Sequence, residues 1–104
     1  MTDCLFCKIR DKEIPSTLVH EDEKCLAFND IHPQDKTHIL IIPKKHIETV
    51  AHASPEEEPV LGHLLVIAKR LAEEKKLIGY KLQFNVGKEG GQIIFHVHLH
   101  LIGH

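Results

Sequence analysis

The sequence predicts an α+β protein: a five-stranded antiparallel sheet with one long helix and a short helix near the N-terminus. Several short segments are alternately or continuously apolar, as β-strands are. One long segment carries a single apolar stripe, as a helix packed on a sheet does. Every link between consecutive strands is short except the helical one, which favours antiparallel pairing.

The chain begins with a predicted helical turn over Cys4–Arg10, which ends at Glu13–Ser16. Residues 21–24 form a charged turn, so the strands on either side of it are expected to make a hairpin. The five predicted strands cover residues 17–21, 25–29, 37–43, 80–86 and 95–102.

The long helix is predicted between the third and fourth strands, after one helical turn over residues 48–53. Ser54 is the expected N-cap, Pro55 the first helical residue and Glu57 the partner in a capping box. The helix should run to about Lys76, before Gly79. Its predicted apolar stripe consists of Leu61, Leu64, Leu65, Ala68, Leu71 and Ala72.

Composition narrows the possible classes of protein. The chain has 104 residues, 42% of them hydrophobic and 27% charged, which predicts one globular domain over residues 1–104. A net charge of −2 argues against nucleic acid as a partner. No apolar run approaches the ~20 residues of a membrane span, so no membrane partner is expected. Residues 1–4 show no signal-peptide pattern, and a cytoplasmic location is expected.

Three histidines at every second position are the most informative feature of the sequence. His96, His98 and His100 share one face of the predicted last strand, while Val97 and Leu99 point to the other. A buried row of imidazoles has a desolvation cost unless each ring finds a partner. This segment is therefore predicted to be the active-site strand, whereas isolated histidines such as His20 and His63 are expected to be structural or exposed.

Two chemistries fit the row. Three imidazoles and a water make a catalytic zinc site. Alternatively, one neutral imidazole acts as a nucleophile towards phosphorus near pH 7. The turn Gly90-Gly91-Gln92 precedes the row and offers backbone N–H groups to an anion, and Asn85 adds an amide. A phosphate between this turn and the imidazoles favours the nucleophile.

These residues resemble the histidine-triad (HIT) family of nucleotide hydrolases and transferases, and the resemblance covers nearly the whole chain. The closest branch hydrolyses purine nucleoside 5′-phosphoramidates. The segments that carry the resemblance are His96-x-His98-x-His100 after Gly91-Gln92, Lys8-Ile9, Glu13-Ile14-Pro15, Ala27-Phe28-x-Asp30-Ile31, 37–47 and Asn85-x-Gly87.

The resemblance implies catalytic roles. His98 would attack the α-phosphorus and form a nucleotidylated histidine, which water then hydrolyses to release the nucleoside monophosphate. His100 would bind a phosphate oxygen on the leaving-group side, with Gln92 and Asn85 assisting. His38 would support the triad without touching the substrate. No metal is implied for the chemistry.

The resemblance also implies a site for an AMP-type purine nucleotide. Asp30 would accept hydrogen bonds from the ribose hydroxyls, although a loop aspartate can equally form an Asx-turn. Gly91 would approach the phosphate. The implied base pocket consists of Phe6, Ile9, Phe28, Ile31 and Leu40, each of which could instead be plain core.

Cys4 and Cys7 form a C-x-x-C pair that, taken alone, could be redox-active, bind metal or do neither. Some members of the histidine-triad family, which this sequence resembles, hold zinc on a cysteine pair and two histidines, at positions that correspond to Cys4, Cys7, His46 and His96. A structural zinc ion in this arrangement is the hypothesis. Cys25 is expected to be a small core residue.

The resemblance further implies a homodimer whose two sheets join into one of ten strands. The sequence departs from the branch at Ile93, where many members have a serine that contacts the leaving group. Three other activities stay open. They are hydrolysis of dinucleoside polyphosphates or adenylylated adducts, nucleotide binding as a scaffold with weak turnover, and hydrolysis by a zinc ion on all three triad histidines.

Overall fold

A computed structural model describes residues 4–104 as a five-stranded antiparallel sheet in the order β1-β2-β3-β5-β4. The predicted fold class is confirmed. The strands are β1 Leu18–Glu21, β2 Cys25–Asn29, β3 Thr37–Pro43, β4 Tyr80–Phe84 and β5 Leu99–Gly103, and the helices are α1 Leu5–Arg10 and α2 Glu58–Glu74. Short 3-10 turns cover Val50–His52, Pro55–Glu57 and Lys88–Gly90.

Both faces of the sheet are covered, each by one helix. Ile39 and Ile41 of β3 point to the face that packs on α2, and Leu40 and Ile42 point to the opposite face, which packs on α1. Alternation along a strand separates the two sets. Leu40 pairs with His100 across the β3–β5 ladder, so the register brings that imidazole to the α1 face.

The capping box predicted at Ser54 is present, since the backbone N–H of Ser54 donates to the Glu57 carboxylate at 2.7 Å. It caps the 3-10 turn Pro55–Glu57, however, and α2 itself begins at Glu58. Its apolar stripe was predicted partly wrongly. Leu65 is 44% exposed, whereas Ile67, which was not in the predicted stripe, is buried. The buried residues follow the spacing 64, 67, 68 and 71, and Leu65 lies about 100° around the helix from Leu64. No helix within residues 4–104 is long and apolar enough to cross a bilayer.

The histidine segment joins the sheet later than predicted. Ladder pairing begins at Leu99, and the chain bends over residues 94–96. The Val97 N–H donates to the Ile47 carbonyl at 2.7 Å, and the His96 ring donates through Nε2 to the Pro43 carbonyl at 2.8 Å. At the end of β3, the Pro43 carbonyl therefore accepts a hydrogen bond from the His96 side chain.

Candidate active site

Three imidazoles meet on the α1 face of the sheet. The ring centroids of His98 and His100 are 4.9 Å apart, and those of His100 and His38 are 5.2 Å apart. His38 comes from β3, beside β5, so the sheet itself fixes this spacing. His96 does not join the group, because its ring turns towards Cys4, Cys7 and His46.

The tautomer of His98 is fixed by its own backbone. Its Nδ1–H donates to the His96 carbonyl oxygen at 2.8 Å, and a carbonyl can only accept. A neutral His98 therefore carries its lone pair on Nε2. Burial lowers the pKa of His98, which favours the neutral ring.

The tautomers of His38 and His100 follow in the same way. The Gln34 backbone N–H donates to His38 Nδ1 at 3.1 Å, so the proton of a neutral His38 lies on Nε2. That Nε2–H donates to His100 Nδ1 at 2.9 Å, which leaves the proton of His100 on its own Nε2. Burial lowers the pKa of His100 to about 4, and that of His38 in the same direction. His100 is thus a neutral N–H donor at pH 7.

Phe6 of α1 lies against the two rings at the start of the triad. Its ring centroid is 5.0 Å from that of His98 and 6.0 Å from that of His96, both in edge-to-face geometry. It also contacts Phe28 at 5.5 Å. This apolar cover supplies part of the desolvation that keeps the imidazoles neutral.

A cavity of about 540 Å³ opens beside these rings, within the range of small-molecule sites. Most of the predicted site residues line it: Phe6, Ile9, Phe28, Asp30, Ile31, Leu40, Asn85, Gly91, His98 and His100. Ile93, which the resemblance places at the leaving-group position, also lines it. Further lining residues were not predicted: Leu5, Ile14, Pro15, Ser16, Asn29, His32, Gln34, Gln83 and Ile94.

Some of the missed residues were foreseeable from the sequence. Asn29 ends β2 directly before Asp30, and His32 and Gln34 follow in the loop, so a loop that holds Asp30 at the cavity brings them with it. Ser16 and Gln83 come from separate elements, and no motif marks them.

Asp30 forms the Asx-turn that its sequence context allowed and also lines the cavity. Its Oδ1 accepts the His32 backbone N–H at 2.8 Å, which is an Asx-turn. Its Oδ2 lies 3.4 Å from His38 Nε2, and the residue lines the cavity. The turn holds the carboxylate in place at the cavity wall.

The amide side chain of Asn85 stabilises the glycine turn. The Asn85 side chain donates to the Gly90 carbonyl at 2.9 Å, and Gly91 adopts φ +89°, which a side chain would strain. A Cβ on Gly91 would also lie 3.3 Å from Asn85 Nδ2. Asn85 therefore both stabilises the turn and lines the cavity.

Gln92 is not among the cavity-lining residues. Its side chain is buried, accepts the Gly87 N–H at 2.9 Å and donates to the carbonyls of Glu48 and Ile94 at 2.8 and 3.0 Å. Its own backbone N–H donates to Gly87 as well. These hydrogen bonds show that Gln92 stabilises the glycine turn.

Four predicted metal ligands converge at the end of β3. Donor atoms of Cys4, Cys7, His46 and His96 all lie within 4.8 Å of one another. The sulfurs lie 3.3 to 3.5 Å from imidazole Nδ1 atoms, and the two Nδ1 atoms are 3.2 Å apart. Tetrahedral zinc would place its sulfur and nitrogen ligands about 3.6 Å apart and two nitrogens about 3.4 Å apart. The cluster fits such an ion.

The buried histidine of this cluster has the protonation that a ligand needs. His96 Nε2–H donates to the Pro43 carbonyl, so the lone pair of the neutral ring is on Nδ1 and faces the sulfurs. A hydrogen bond from the outer ring nitrogen is the usual support of a metal-bound histidine. Within residues 4–104, no group of neighbouring potential ligands contains all three triad histidines. This geometry disfavours a catalytic zinc ion held by the whole triad.

Comparisons with known proteins show what this chain is similar to. The family model described as "Scavenger mRNA decapping enzyme C-term binding" matches residues 3–104. Protein HitA of Neisseria gonorrhoeae is 44% identical over 99% of this chain and 97% of its own length. A HIT family hydrolase from Legionella pneumophila has 51% identity and a TM-score of 0.95, covering 97% of this chain and 92% of its own. A histidine triad nucleotide-binding protein from Candida albicans has 36% identity and a TM-score of 0.87, covering 95% and 73%.

Proposed function

The chain belongs to the histidine-triad family and is hydrolase-like, and from that premise we propose that it cleaves the P–N bond of purine nucleoside 5′-phosphoramidates. One observation carries the proposal. The Nδ1–H of His98 is held by the His96 carbonyl, so the Nε2 lone pair is left for attack on a phosphate in the cavity.

In the first step, the substrate nitrogen takes up a proton from solvent, His98 Nε2 attacks the α-phosphorus and the neutral amine leaves, so that a bond from His98 to phosphorus forms as the substrate P–N bond breaks. The His98 ring becomes positively charged. Its Nδ1–H continues to donate to the His96 carbonyl, and that bond strengthens as the ring gains charge. Water then attacks phosphorus, releases the nucleoside monophosphate and one proton to solvent, and restores the neutral imidazole.

His100 is proposed to donate its Nε2–H to the phosphate or to the leaving group. The proton of the neutral ring is on Nε2 because the His38–Gln34 chain of hydrogen bonds fixes the tautomer, and His100 lines the cavity. Asn85 and Gly91 also line the cavity, and the phosphate is proposed to lie between them and the imidazoles. Preorganised donors of this kind stabilise charge that develops in a transition state.

The nucleoside is proposed to occupy the apolar part of the cavity. Asp30 keeps Oδ2 available for the ribose hydroxyls while Oδ1 is used by its Asx-turn. Phe6, Ile9, Phe28, Ile31 and Leu40 would hold the purine. Ile31 is 85% exposed, which suits a residue that becomes covered when a base binds.

The Cys4, Cys7, His46 and His96 cluster is proposed to hold a structural zinc ion. A closed set of four protein ligands leaves no open coordination position, so the ion would supply rigidity and no chemistry. It would fasten α1 to the segment that precedes His98.

Ile93 marks the leaving-group side of this site. It is 88% exposed at the rim of the cavity and has no hydrogen-bonding side chain. The leaving group would therefore meet an apolar surface, which favours substituted amines over groups that need a hydroxyl partner.

The chain is also proposed to form a single histidine-triad domain. This domain would pair with a second copy through β4. β4 is an edge of the sheet, and its Tyr80 and Leu82 are 38% and 39% exposed. An exposed apolar edge strand is a template for pairing with another strand. Sedimentation equilibrium at micromolar concentration should show two chains, and a monomer would exclude this arrangement.

The proposed activity is tested with a panel of substrates. Adenosine 5′-phosphoramidate should be hydrolysed to AMP faster than a diadenosine polyphosphate is. Chelator should leave the rate unchanged, because no metal takes part in the chemistry. This comparison is made at a chelator concentration that does not alter the thermal unfolding curve. Binding of AMP without turnover would favour the scaffold activity, and preference for the polyphosphate would favour the other hydrolase.

His38 is expected to act as a positioning residue. His38→Phe removes the donor to His100 at similar volume and should lower kcat by roughly 10²-fold with little change in KM, because the donor acts mainly in the transition state. His38→Gln keeps an N–H donor and should recover most of kcat. Steady-state kinetics of both variants measures this, and equal losses would show that His38 has only a packing role.

A further inference from the structure

A second cluster of ligand-type side chains lies away from the cavity, where the β1–β2 turn meets α2. His20 Nε2 and His63 Nε2 each lie 2.7 Å from the same oxygen, Oδ2 of Asp22. Cys25 Sγ is 3.5 Å from that oxygen. His20, Asp22 and Cys25 have donor atoms that all lie within 4.8 Å of one another.

The donor set is that of a transition-metal site. The His20 imidazole, the Asp22 carboxylate and the Cys25 thiol match the nitrogen, oxygen and sulfur ligands that zinc-like ions take. His63 lies outside this group of three and contacts it through Asp22. Asp22 is oriented by its other oxygen, Oδ1, which accepts the backbone N–H groups of Lys24 and Cys25 at 2.7 and 2.9 Å. The carboxylate is thus fixed before any ion arrives.

Access and geometry also suit an ion. The side chains of His20 and Asp22 are 27% and 29% exposed, so an ion can reach them from solvent, and Cys25 is buried directly beneath them. A tetrahedral ion would hold nitrogen and oxygen ligands about 3.4 Å apart, against 2.7 Å in the hydrogen-bonded His20–Asp22 pair. Side chains at a surface turn can open by that ~0.7 Å through small rotations.

We propose that His20, Asp22 and Cys25 form a binding site for a divalent transition ion of the zinc class, with His63 as a hydrogen-bonding support of Asp22. On binding, the Cys25 thiol releases its proton to solvent and the His20 ring carries its proton on Nδ1, so that Nε2 can ligate. The His63–Asp22 hydrogen bond joins this site to the long helix. This site is independent of the Cys4 cluster and of the active-site cavity, since it shares no residue with either.

The test measures Co²⁺ and Zn²⁺ binding to the full chain with Cys4→Ser and Cys7→Ser. Cys25 is then the remaining cysteine of the three in the sequence. This protein should bind one Co²⁺ with a near-ultraviolet sulfur-to-cobalt charge-transfer band, which only Cys25 can supply. Adding His63→Gln or His20→Gln should weaken binding by at least about 100-fold, as loss of a metal-supporting contact does at the upper end.

His104→Gln is the matched control. His104 also pairs with a carboxylate, Asp35, at 3.0 Å, but within residues 4–104 this pair belongs to no group of three potential ligands. It should leave metal binding unchanged. Chelator-treated samples of every variant are checked by thermal unfolding, so that loss of fold is separated from loss of ligands. The proposal is overturned if no charge-transfer band appears, or if His63→Gln and His104→Gln bind metal equally well.

Discussion

His98→Ala is expected to lower the turnover of adenosine 5′-phosphoramidate by at least about 1,000-fold, since the nucleophile itself is lost. AMP binding should stay within a few-fold of wild type, because the apolar wall and Asp30 are untouched. Single-turnover hydrolysis measures the rate, and calorimetric titration with AMP measures the affinity. Mass spectrometry of the quenched wild type should also find a nucleotidylated peptide that contains residue 98.

His104→Ala serves as the control, because this exposed histidine contacts Asp35 and not the cavity. It should turn over at the wild-type rate. A His98→Ala protein that keeps a tenth of the activity would contradict nucleophilic catalysis at this residue. A covalent adduct at His100 would move the nucleophile to the neighbouring strand position.

The pair of substitutions Cys4→Ser and Cys7→Ser is expected to remove one zinc ion per chain and to lower Tm by at least about 12 °C. Structural zinc contributes several kcal/mol to folding, and each kcal/mol moves Tm by about 4–8 °C in a domain of this size. The zinc content of purified protein and thermal unfolding measure the two effects.

His46→Ala is a second probe of the same cluster, from another part of the chain. It should reproduce the loss of zinc and much of the fall in Tm, while His104→Ala should change neither. Unchanged zinc content and Tm in the cysteine variant would refute a structural ion at this position.

Local patterns were sufficient to predict most of the fold. β2 and β3 were predicted with their observed bounds, since both are short, continuously apolar and enclosed by turns. The start of the long helix was marked by Ser54, Pro55 and Glu57, whose capping interactions are local in sequence. Such features depend on neighbouring residues only, and a sequence displays them directly.

The errors lie where distant residues decide the structure. Leu65 is apolar, but the rotation of α2 against the sheet exposes it. Residues 95–98 alternate like a strand, but their partners are Ile47 and Pro43 rather than a neighbouring ladder. Gln92 looks like a ligand-binding amide in the sequence, and only the positions of Gly87 and Glu48 show that its hydrogen bonds are already used.

The contacts of α1 affect how the N-terminal part of the described chain folds. A six-residue helix is too short to be stable alone, so Phe6 reaches its place over His98 only when Cys4 and Cys7 meet their partners. Cys4 contacts His96 across 92 residues of sequence, and Cys7 contacts His46 across 39. The contacts that hold α1 therefore depend on segments around His46 and His96, which follow it in the chain, and Phe6 covers His98 only once those segments are in place.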